Sequence, residues 1–525
     1  MQLTTRWCRW AARPTLVFML TIPCAVQSHA QDRLGSRNLP LGHWAYAYIG
    51  QLRSRGYLHN LNPLVQPYRR RDVAINLARL DPDTLPQPVQ HWVGLLRDEF
   101  GPELERLGGS EPTVNWGIPV TGDVRGSSSR RTEPIHPAGD ADVWGRYTAG
   151  VWAEAGPFAG EVRLKGDQQQ EVDPDAPIDQ GRAGRTDNGY LSLAVPFGDI
   201  WFGRFLQNWT VVEAPGLLVA DYATAYTSLA FELRLGRFAL RSFTGELEML
   251  QSVTDGQERK RWISNHRLDY RSENLVLSIG ETTLYATATG LQLRFLNPLE
   301  GTIIQSTTTK PGADEENVEN YMVNAQIWVR WLGLEFTGEG LLDDIDIDAS
   351  SGTRAPTRYA FYVRLRRPGL LRAIDAELSY RQVAAFTYRA ARFVDNYTFL
   401  DRGIADNFVD YDRVTLAGTW HPPLAGLEVT PFFQFQRQGE GNLRDPFPVP
   451  YSDFVQSPSI FLGVVEKTYR FGLAGRFQPI RYAWLAWDVG ANVVRNVGNQ
   501  AGVKATDMEG IVGAGFSFDF TFPKR

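Results

Sequence analysis

The sequence predicts an all-β membrane protein: an antiparallel outer-membrane β-barrel of about 16–18 strands, preceded by a small α-helical module. From about residue 140 to the C-terminus, apolar and polar residues alternate with a period of two, as in strands with one apolar face. Tight turns between these segments alternate with long polar connections. Phe, Trp and Tyr make up 12% of the chain, a surplus that suits two interfacial girdles.

The strand number follows from the length of the alternating region. About 385 residues, at about 22 to 24 per strand and connection, give about 16–18 strands. Side chains alone do not fill a barrel of this size, so an aqueous lumen or an internal plug is required. The alternative fold is a secreted β-sandwich or propeller. The absence of cysteine from the mature chain, the aromatic surplus and strands of about 10 residues weigh against it.

The N-terminus predicts export. Three arginines precede an apolar run from 15 to 26, and Ser28-His29-Ala30 then offers the small residues that a signal peptidase recognises, so residues 1–30 are predicted to be a signal peptide. The alternative is a membrane anchor, but the run is about 12 residues and a span needs about 20. Cys8 and Cys24 lie inside this segment, so the mature chain is predicted to have no disulfide and no thiolate metal site.

Residues 36–110 predict a periplasmic helical module. Apolar residues recur at helical spacing in HWAYAYIGQLRSRGYL, in RRRDVAINLARL and in VQHWVGLLRDEFGPELERL, the last interrupted near Gly101-Pro102. A polar stretch rich in Gly, Ser and Arg, at 111–139, is predicted to be a linker. The transmembrane barrel is then predicted to occupy residues 140–525.

The strand patterns predict which face meets lipid. In YAFYVRLR, at 359–366, aromatic and aliphatic residues alternate with Arg364 and Arg366, which are predicted to face the lumen. In GFSFDFTFPKR, at the C-terminus, every second residue from Phe516 to Phe522 is Phe, and this row is predicted to face outer-membrane lipid. Such a terminal strand resembles the signal that barrel-insertion machinery recognises. A charged lumen suits hydrophilic solutes or polysaccharide.

Composition and motifs exclude several functions. Lys and Arg number 54 against 59 Asp and Glu, so the basic excess of a nucleic-acid binder is absent. The common hydrolase and nucleotide motifs are absent, and Ser264 and His266 would share a strand face without Asn265, so no enzyme and no cofactor is predicted. The acidic stretch at 344–348 lacks the Gly and Glu of a calcium loop, so no metal site is predicted.

The helical module resembles the S-layer homology domain. The shared residues are His43-Trp44-Ala45, Pro67 and the segment RRRD at 69–72. The resemblance implies a groove for acidic cell-wall polysaccharide, with Trp44, Arg70 and Asp72 as candidate contacts and a peptidoglycan-linked polymer as a partner. The alternative is a helical bundle that only caps the periplasmic mouth of the barrel.

The barrel resembles the Wzi family of capsule-assembly proteins. The likeness rests on FGRFLQNWTVVEAPGLLVADYATAYTSLAFELRLGRF, at 202–238, and on HRLDYRSENLVLSIGETTLY, at 266–285. It implies a non-enzymatic protein that binds exported polysaccharide and assists capsule or exopolysaccharide assembly. The candidate polysaccharide contacts are Trp209, Asp221, His266, Arg267, Glu281, Arg364 and Arg366.

Two alternatives remain open from the sequence. Trp209 could stack on a sugar ring or belong to an interfacial aromatic girdle. The protein could also be an outer-membrane porin for hydrophilic solutes that is tethered to the cell wall by its helical module. Either function predicts the outer membrane of a Gram-negative-type bacterium.

Overall fold

The computed structural model describes residues 34–109, 114–175, 184–251, 256–287, 290–299, 319–343, 357–371, 373–390, 392–445 and 458–522. The predicted signal peptide, the acidic stretch at 344–348 and the C-terminal residues 523–525 lie outside these ranges.

The helical part, residues 34–109, contains four α-helices among its described residues. The third predicted helix is divided at Gly101-Pro102, as the sequence predicts, because proline suits the first turn of a new helix. No helix in the described ranges is long and apolar enough to cross a membrane. The helices are α1 (Ala45–Ser54), α2 (Arg70–Leu77), α3 (Val89–Glu99) and α4 (Gly101–Gly108).

The described remainder of the chain forms one closed antiparallel barrel of 18 strands, within the predicted number. A two-stranded hairpin, β14 (Thr398–Phe399) and β15 (Arg402–Gly403), lies apart from it. The barrel strands are β1 (Asn115–Ser127), β2 (Asp142–Ala155), β3 (Phe158–Asp167), β4 (Gly184–Val195), β5 (Gly198–Arg204), β6 (Thr227–Leu235), β7 (Phe238–Gln251), β8 (Glu258–Arg271), β9 (Leu275–Thr287), β10 (Glu319–Trp331), β11 (Leu334–Asp343), β12 (Tyr359–Arg367), β13 (Ile374–Val383), β16 (Tyr411–Trp420), β17 (Leu427–Gln438), β18 (Glu466–Ile480), β19 (Ala483–Arg495) and β20 (Lys504–Phe522).

The barrel closes between its first and last strands. β20 pairs with β19 on one side and with β1 on the other, in a register that places Trp116 opposite Phe522 and Ser127 opposite Ile511. Closure leaves no edge strand with unpaired backbone groups, which is what a sheet in lipid requires.

The predicted linker and the predicted start of the barrel at 140 are wrong, because β1 lies within 111–139. Gly117, Gly122 and Gly126 and an internal Pro119 disguise this strand as a loop in the sequence. Its outward positions still alternate, however, and Val124 is exposed among them. The barrel therefore begins at Asn115 and the connection to the helices is short.

The period of two separates the faces as predicted. Phe516, Phe518 and Phe520 are exposed on the outer surface, whereas Asp519 between them accepts a hydrogen bond from Trp152 on the inner side. In β12, Leu365 is exposed and Arg364 is only 1% exposed. The outward positions of these two strands are thus apolar.

The connections also sort into two ends. The short turns, such as that between β4 and β5, lie at one end of the barrel, which we call the short-turn end. The long connections lie at the other, the long-loop end. Outer-membrane barrels place short turns in the periplasm and long loops outside.

The helical part docks at the short-turn end. Arg37 meets Asp519 at 2.5 Å, Arg55 meets Asp375 at 2.6 Å and Arg69 meets Asp199 at 2.5 Å. Each of these carboxylates lies near the short-turn end of its strand. Because the three arginines come from different segments of the helical part, this end of the barrel is covered by a body held from several directions.

The main hydrophobic core lies inside the lumen. Met322 and Trp328 point inward from β10 and are fully buried, together with Trp209 and Leu217 of the connection between β5 and β6. A period of two predicts that polar residues line the lumen. The lumen is only partly polar, because buried protein side chains rather than water fill much of it.

Candidate functional site

The connection between β5 and β6, residues 205–226, crosses the lumen; we call it the inner segment. Gln326 of β10 donates a hydrogen bond to Trp209 O at 2.5 Å, and Glu339 of β11 accepts one from Leu217 N at 2.9 Å. Arg381 of β13 donates to Pro215 O at 2.8 Å. These strands lie four to seven positions further round the barrel than β6, so the inner segment extends through the interior to a distant part of the wall.

Glu213 fastens the inner segment to β12. Its two carboxylate oxygens accept hydrogen bonds from Arg364 at 3.2 Å and from Arg366 at 3.0 Å. Burial raises the pKa of the Glu213 carboxyl, but Arg364 and Arg366 outweigh this effect and hold the pKa below its ordinary value. Glu213 therefore stays ionised and the clamp persists at neutral pH.

The inner segment also joins the helical part. Gln66 N donates to Asn208 O at 2.8 Å, and Asn208 N donates to Gln66 O at 3.1 Å. This reciprocal pair is a one-residue β-bridge. It connects the cover of the short-turn end directly to the segment that crosses the lumen.

The connection between β13 and β16, residues 384–410, covers the inner segment from the long-loop side. Tyr388 Oη donates to Leu217 O at 2.6 Å, and Tyr397 Oη donates to Leu218 O at 2.9 Å. Ala220 N donates to Ile404 O at 3.0 Å. The inner segment is therefore held between the helical part and this connection.

A cavity of about 680 Å³ remains between the inner segment and the wall formed by β1–β4 and β18–β20; we call it the lumen chamber. Trp44 and His43 of the helical part lie at one end, and Arg185 and Arg402 lie toward the long-loop end. The cavity volume is within the range of about 300–1,000 Å³ that is usual for ligand sites.

Cationic side chains outnumber acidic ones in the lining of the chamber, although Arg163 and Arg402 pair with Glu161 and Asp173 outside it. Seven Arg and Lys residues line it against five Asp residues. Burial lowers the pKa of His43, so this histidine adds no positive charge at neutral pH. The cationic residues are Arg125, Arg146, Arg163, Lys165, Arg185, Arg402 and Arg476, and the acidic residues are Asp123, Asp167, Asp187, Asp221 and Asp488.

Several of these charges neutralise one another. Asp123 accepts hydrogen bonds from Arg125 at 2.8 Å and from Arg146 at 3.1 Å. In contrast, Arg185 and Arg476 meet no carboxylate at ion-pair distance within the described ranges, and Arg476 bonds only to Trp44 O, at 3.3 Å. The two arginines are therefore available to an anionic ligand at opposite ends of the chamber.

The inner segment supplies the remaining wall. Asp221 is exposed to the cavity yet surrounded by protein, and this burial raises the pKa of its carboxyl. Burial also raises the pKa of the Tyr222 phenol well above its ordinary value, so its hydroxyl stays protonated. With Trp484, Tyr222 offers aromatic surface on which a sugar ring can stack.

Of the predicted polysaccharide contacts, Asp221 is the residue that lines the lumen chamber. Trp209 is 1% exposed, and its ring lies 5.3 Å from that of Phe243 in an edge arrangement, so it belongs to the lumen core and not to an interfacial girdle. Arg364 and Arg366 face the lumen as predicted, but carboxylates surround them and they hold the inner segment.

The structure separates His266 and Glu281 from Arg267. Arg267 points inward and donates to Asp269 at 2.7 Å. His266 lies 2.9 Å from Glu281 on the opposite face, the face on which Leu268 is exposed. Residues 290–299 cover this pair from outside, with Phe295 O 3.1 Å from His266 Nε2. The predicted triplet therefore does not form one site.

Of the predicted cell-wall contacts, Trp44 and Arg70 are buried, whereas Asp72 is partly exposed. Arg70 is 3% exposed and pairs with Glu99 at 2.9 Å and Glu103 at 2.5 Å, within the helical part. Asp72 meets Arg69 at 2.7 Å and faces the barrel wall. Trp44 packs in the helical core and reaches the end of the lumen chamber.

Sequence analysis did not single out Arg185, Arg476 and Tyr222. The period of two places Arg476 on the inward face of its strand, as it does many paired charges, but it does not place Arg185 there, because a β-bulge between β3 and β4 reverses the alternation before Arg185. Tyr222 lies in the inner segment, whose residues show no period. For Arg476, the sequence therefore indicated that the side chain points into the lumen, but not whether a carboxylate already pairs with it.

No model of a known protein family and no curated protein matches the sequence. Among solved structures, Wzi of Escherichia coli, an outer-membrane carbohydrate-binding β-barrel involved in group 1 capsule assembly, is similar over 92% of this chain and 99% of its own, with 11% identity and a TM-score of 0.59. OccK3 of Pseudomonas aeruginosa matches 78% of this chain and 96% of its own, with 11% identity and a TM-score of 0.44. OccAB1 of Acinetobacter baumannii matches 78% and 97%, with 10% identity and a TM-score of 0.45.

The likeness to Wzi concerns the fold and extends over nearly the whole of both chains. Together with the closed 18-stranded sheet and its apolar outer face, it identifies the protein as an outer-membrane β-barrel of the Gram-negative type.

Proposed function

We propose that this protein binds an exported acidic polysaccharide in its lumen chamber and assists capsule or exopolysaccharide assembly at the cell surface. The observation that carries the proposal is the excess of cationic side chains in a cavity that also offers aromatic rings. Guanidinium groups bind carboxylates in bidentate fashion, and aromatic faces stack on sugar rings. The fold likeness to Wzi, a carbohydrate-binding barrel, supports the same function.

The filled lumen favours binding over free diffusion. The inner segment is bonded to distant strands of the barrel, to the helical part and to residues 384–410. A general porin needs a continuous aqueous path, whereas a protein that handles a polymer needs contacts along a chain. A porin function is therefore the alternative that the experiments must distinguish from polysaccharide binding.

A cell-wall function of the helical part has less support. Arg70 is enclosed by Glu99 and Glu103, and Trp44 is 5% exposed, so neither reaches a polymer outside without rearrangement. We assign this part to covering the short-turn end, where Arg37, Arg55 and Arg69 hold it.

Calorimetric titration of the purified barrel with acidic and neutral oligosaccharides of equal length tests the proposal. We expect tighter binding of the acidic chain, and about tenfold weaker binding for each of Arg185→Gln and Arg476→Gln, since each removes one charged hydrogen-bonding group. Arg237→Gln, on an exposed turn, is the matched control. Equal affinity for the two oligosaccharides would reject the proposal.

A deletion strain tests the cellular role. We expect reduced surface-attached polysaccharide, restored by the wild-type gene and only weakly by a gene carrying both charge-neutralising changes. Normal attachment in the deletion strain would contradict a role in assembly.

A further inference from the structure

A second cavity, of about 390 Å³, lies where the helical part meets the barrel wall at the short-turn end; we call it the mouth cavity. Its outer edge includes the exposed side chains of Asn60 and Phe197, and its inner end reaches Trp209 of the inner segment. The mouth cavity is lined by residues of the helical part, of β5 to β8 and of the inner segment.

The lining of the mouth cavity is rich in amide groups. Six Asn and Gln side chains contribute to it, more than the two carboxylates, Asp72 and Glu232. Amides offer both donors and acceptors, which is what a ligand with many hydroxyl groups requires. The amide residues are Asn38, Asn60, Asn62, Gln66, Asn76 and Gln207.

Two of the lining side chains have unmet hydrogen-bonding capacity. Asn38 is 3% exposed, and neither its side-chain nitrogen nor its oxygen has a partner in the part of the chain that the structure describes. The same holds, within those ranges, for the indole nitrogen of Trp201, which is 8% exposed. Buried polar groups without partners are costly, so a hydroxyl-bearing ligand that bonds to them stabilises the site.

Five arginines and two carboxylates line the mouth cavity, and three of the arginines form ion pairs. Arg69 pairs with Asp72 and Asp199, and Arg241 pairs with Glu232 at 2.8 Å. Arg234 also pairs with Asp199. Arg271 meets no carboxylate at ion-pair distance within the described ranges, so the amide groups, rather than the charges, set the mouth cavity apart from the lumen chamber.

Aromatic surface completes the site. Trp201 points inward from β5, where its neighbours Ile200 and Phe202 are exposed on the outer face. Phe205 lies beside it, with ring centroids 6.3 Å apart. An aromatic wall next to amide groups is the chemistry that recognises a sugar ring, whose faces are apolar and whose rim carries hydroxyls.

We infer that the mouth cavity is a second saccharide site, which binds a hydroxyl-rich saccharide that enters from the short-turn side. It is distinct from the lumen chamber in position and in its amide-rich lining, and it does not depend on the acidic ligand proposed there. Asn38 and Trp201 are its specificity-determining contacts. The inner segment, through Trp209 and Asp221, borders both cavities.

Titration with a panel of neutral disaccharides tests the inference. Maltose, cellobiose, lactose and chitobiose are the probes, and the barrel is purified in an amine-oxide detergent because glycoside detergents carry a competing sugar. We expect at least one of them to bind at one site per chain. Asn38→Ala and Trp201→Leu should each weaken it about tenfold or more, by loss of a hydrogen-bonding group and of the aromatic face, respectively.

Matched variants separate this site from the lumen chamber. Gln87→Ala changes an exposed amide of the helical part outside the mouth cavity and should bind the disaccharide like the wild type. Arg185→Gln and Arg476→Gln should also leave disaccharide binding unchanged. Asn38→Ala removes no native side-chain hydrogen bond, so we expect this variant to fold. It can therefore test the inference even if Trp201→Leu does not fold.

Three results would overturn the inference. The first is binding of no disaccharide of the panel by the wild type. The second is unchanged affinity in Asn38→Ala, or in a folded Trp201→Leu barrel. The third is loss of disaccharide binding in the chamber variants, which would place the sugar in the lumen chamber. Failure of acidic binding in the chamber would leave the mouth cavity unaffected, so the two proposals fail separately.

Discussion

Single residues in the lumen differ mainly in whether a partner already satisfies them. Arg364 and Arg185 both point inward from strands, yet Arg364 contacts three carboxylates, those of Glu213, Glu335 and Glu377. Arg185 contacts none within ion-pair distance in the described ranges. A guanidinium that is already paired supports the fold, and one that is unpaired can bind a ligand.

Glu213 provides a test of the inner-segment clamp. Glu213→Gln removes the negative charge that Arg364 and Arg366 share. We expect the free energy of unfolding of the inner segment to fall by about 1.5–3 kcal/mol, as is usual for the loss of hydrogen bonds to charged groups. The loss should appear as faster amide hydrogen exchange in residues 205–226, with little change in the strands. Glu246→Gln, which removes an outer-surface partner of Lys260, is the control, and faster exchange in both variants would argue against the clamp.

Asp221 predicts how binding changes with pH. Because its pKa is raised, Asp221 takes up a proton at a higher pH than an ordinary aspartate, and the chamber then gains net positive charge. Uronate carboxylates, with a pKa of about 3.5, stay ionised at pH 5. We expect tighter binding of an acidic oligosaccharide at pH 5 than at pH 7.5, and a smaller difference in Asp221→Asn, measured by titration calorimetry. A neutral oligosaccharide serves as the control.

Among the elements, the helical part depends on ion pairs with the wall. Asp199 joins Arg69 of the helical part to Arg234 of β6 and is 3% exposed. Removing one member of a buried ion pair lowers the free energy of unfolding by about 3–5 kcal/mol. We expect the loss at Asp199 to lie at the lower end of this range, because Arg69 keeps its ion pair with Asp72.

The corresponding variant is Asp199→Asn. We expect trypsin to cleave the helical part of this variant faster than that of the wild type in detergent, because undocking exposes its arginines. Asp81→Asn, an exposed change in the same part, should be cleaved at the wild-type rate. Equal cleavage of all three proteins would show that docking does not depend on this contact.

The inner segment is the element that decides the state of the lumen. It has no regular secondary structure, and hydrogen bonds to β10, β11, β12, β13, the helical part and residues 384–410 hold it in place. A segment held in this way moves only when several of these contacts break together, so we expect it to act as a fixed wall of the lumen chamber.

For the whole molecule, the filled lumen predicts low conductance. In planar bilayers the wild-type barrel should show no large, steady openings, because the inner segment and the helical part occupy the interior. Replacing residues 209–221 with a short Gly-Ser linker should open a channel, since it removes the segment that crosses the lumen. Large steady openings of the wild type would instead favour the porin function.

The sequence predicted the architecture because its signals are local. Alternation along YAFYVRLR and GFSFDFTF assigns each side chain to a face without knowledge of the partner strand, and the helical spacing of residues 45–108 is equally local. Strand β1 was missed because Gly117, Pro119 and Gly122 weaken the same local signal. The assignment of His266 and Glu281 to one site with Arg267 ignored this alternation.

The sequence by itself determined the barrel, its approximate strand number and the face of each strand that meets lipid, because a period of two is a property of neighbouring residues. The tertiary structure alone decided which inward charges are paired. Glu213 and Arg364 lie 151 positions apart, and Gln66 meets Asn208 only because the inner segment folds back through the lumen. No periodicity encodes such contacts, so the two cavities and their different linings appear only in the folded chain.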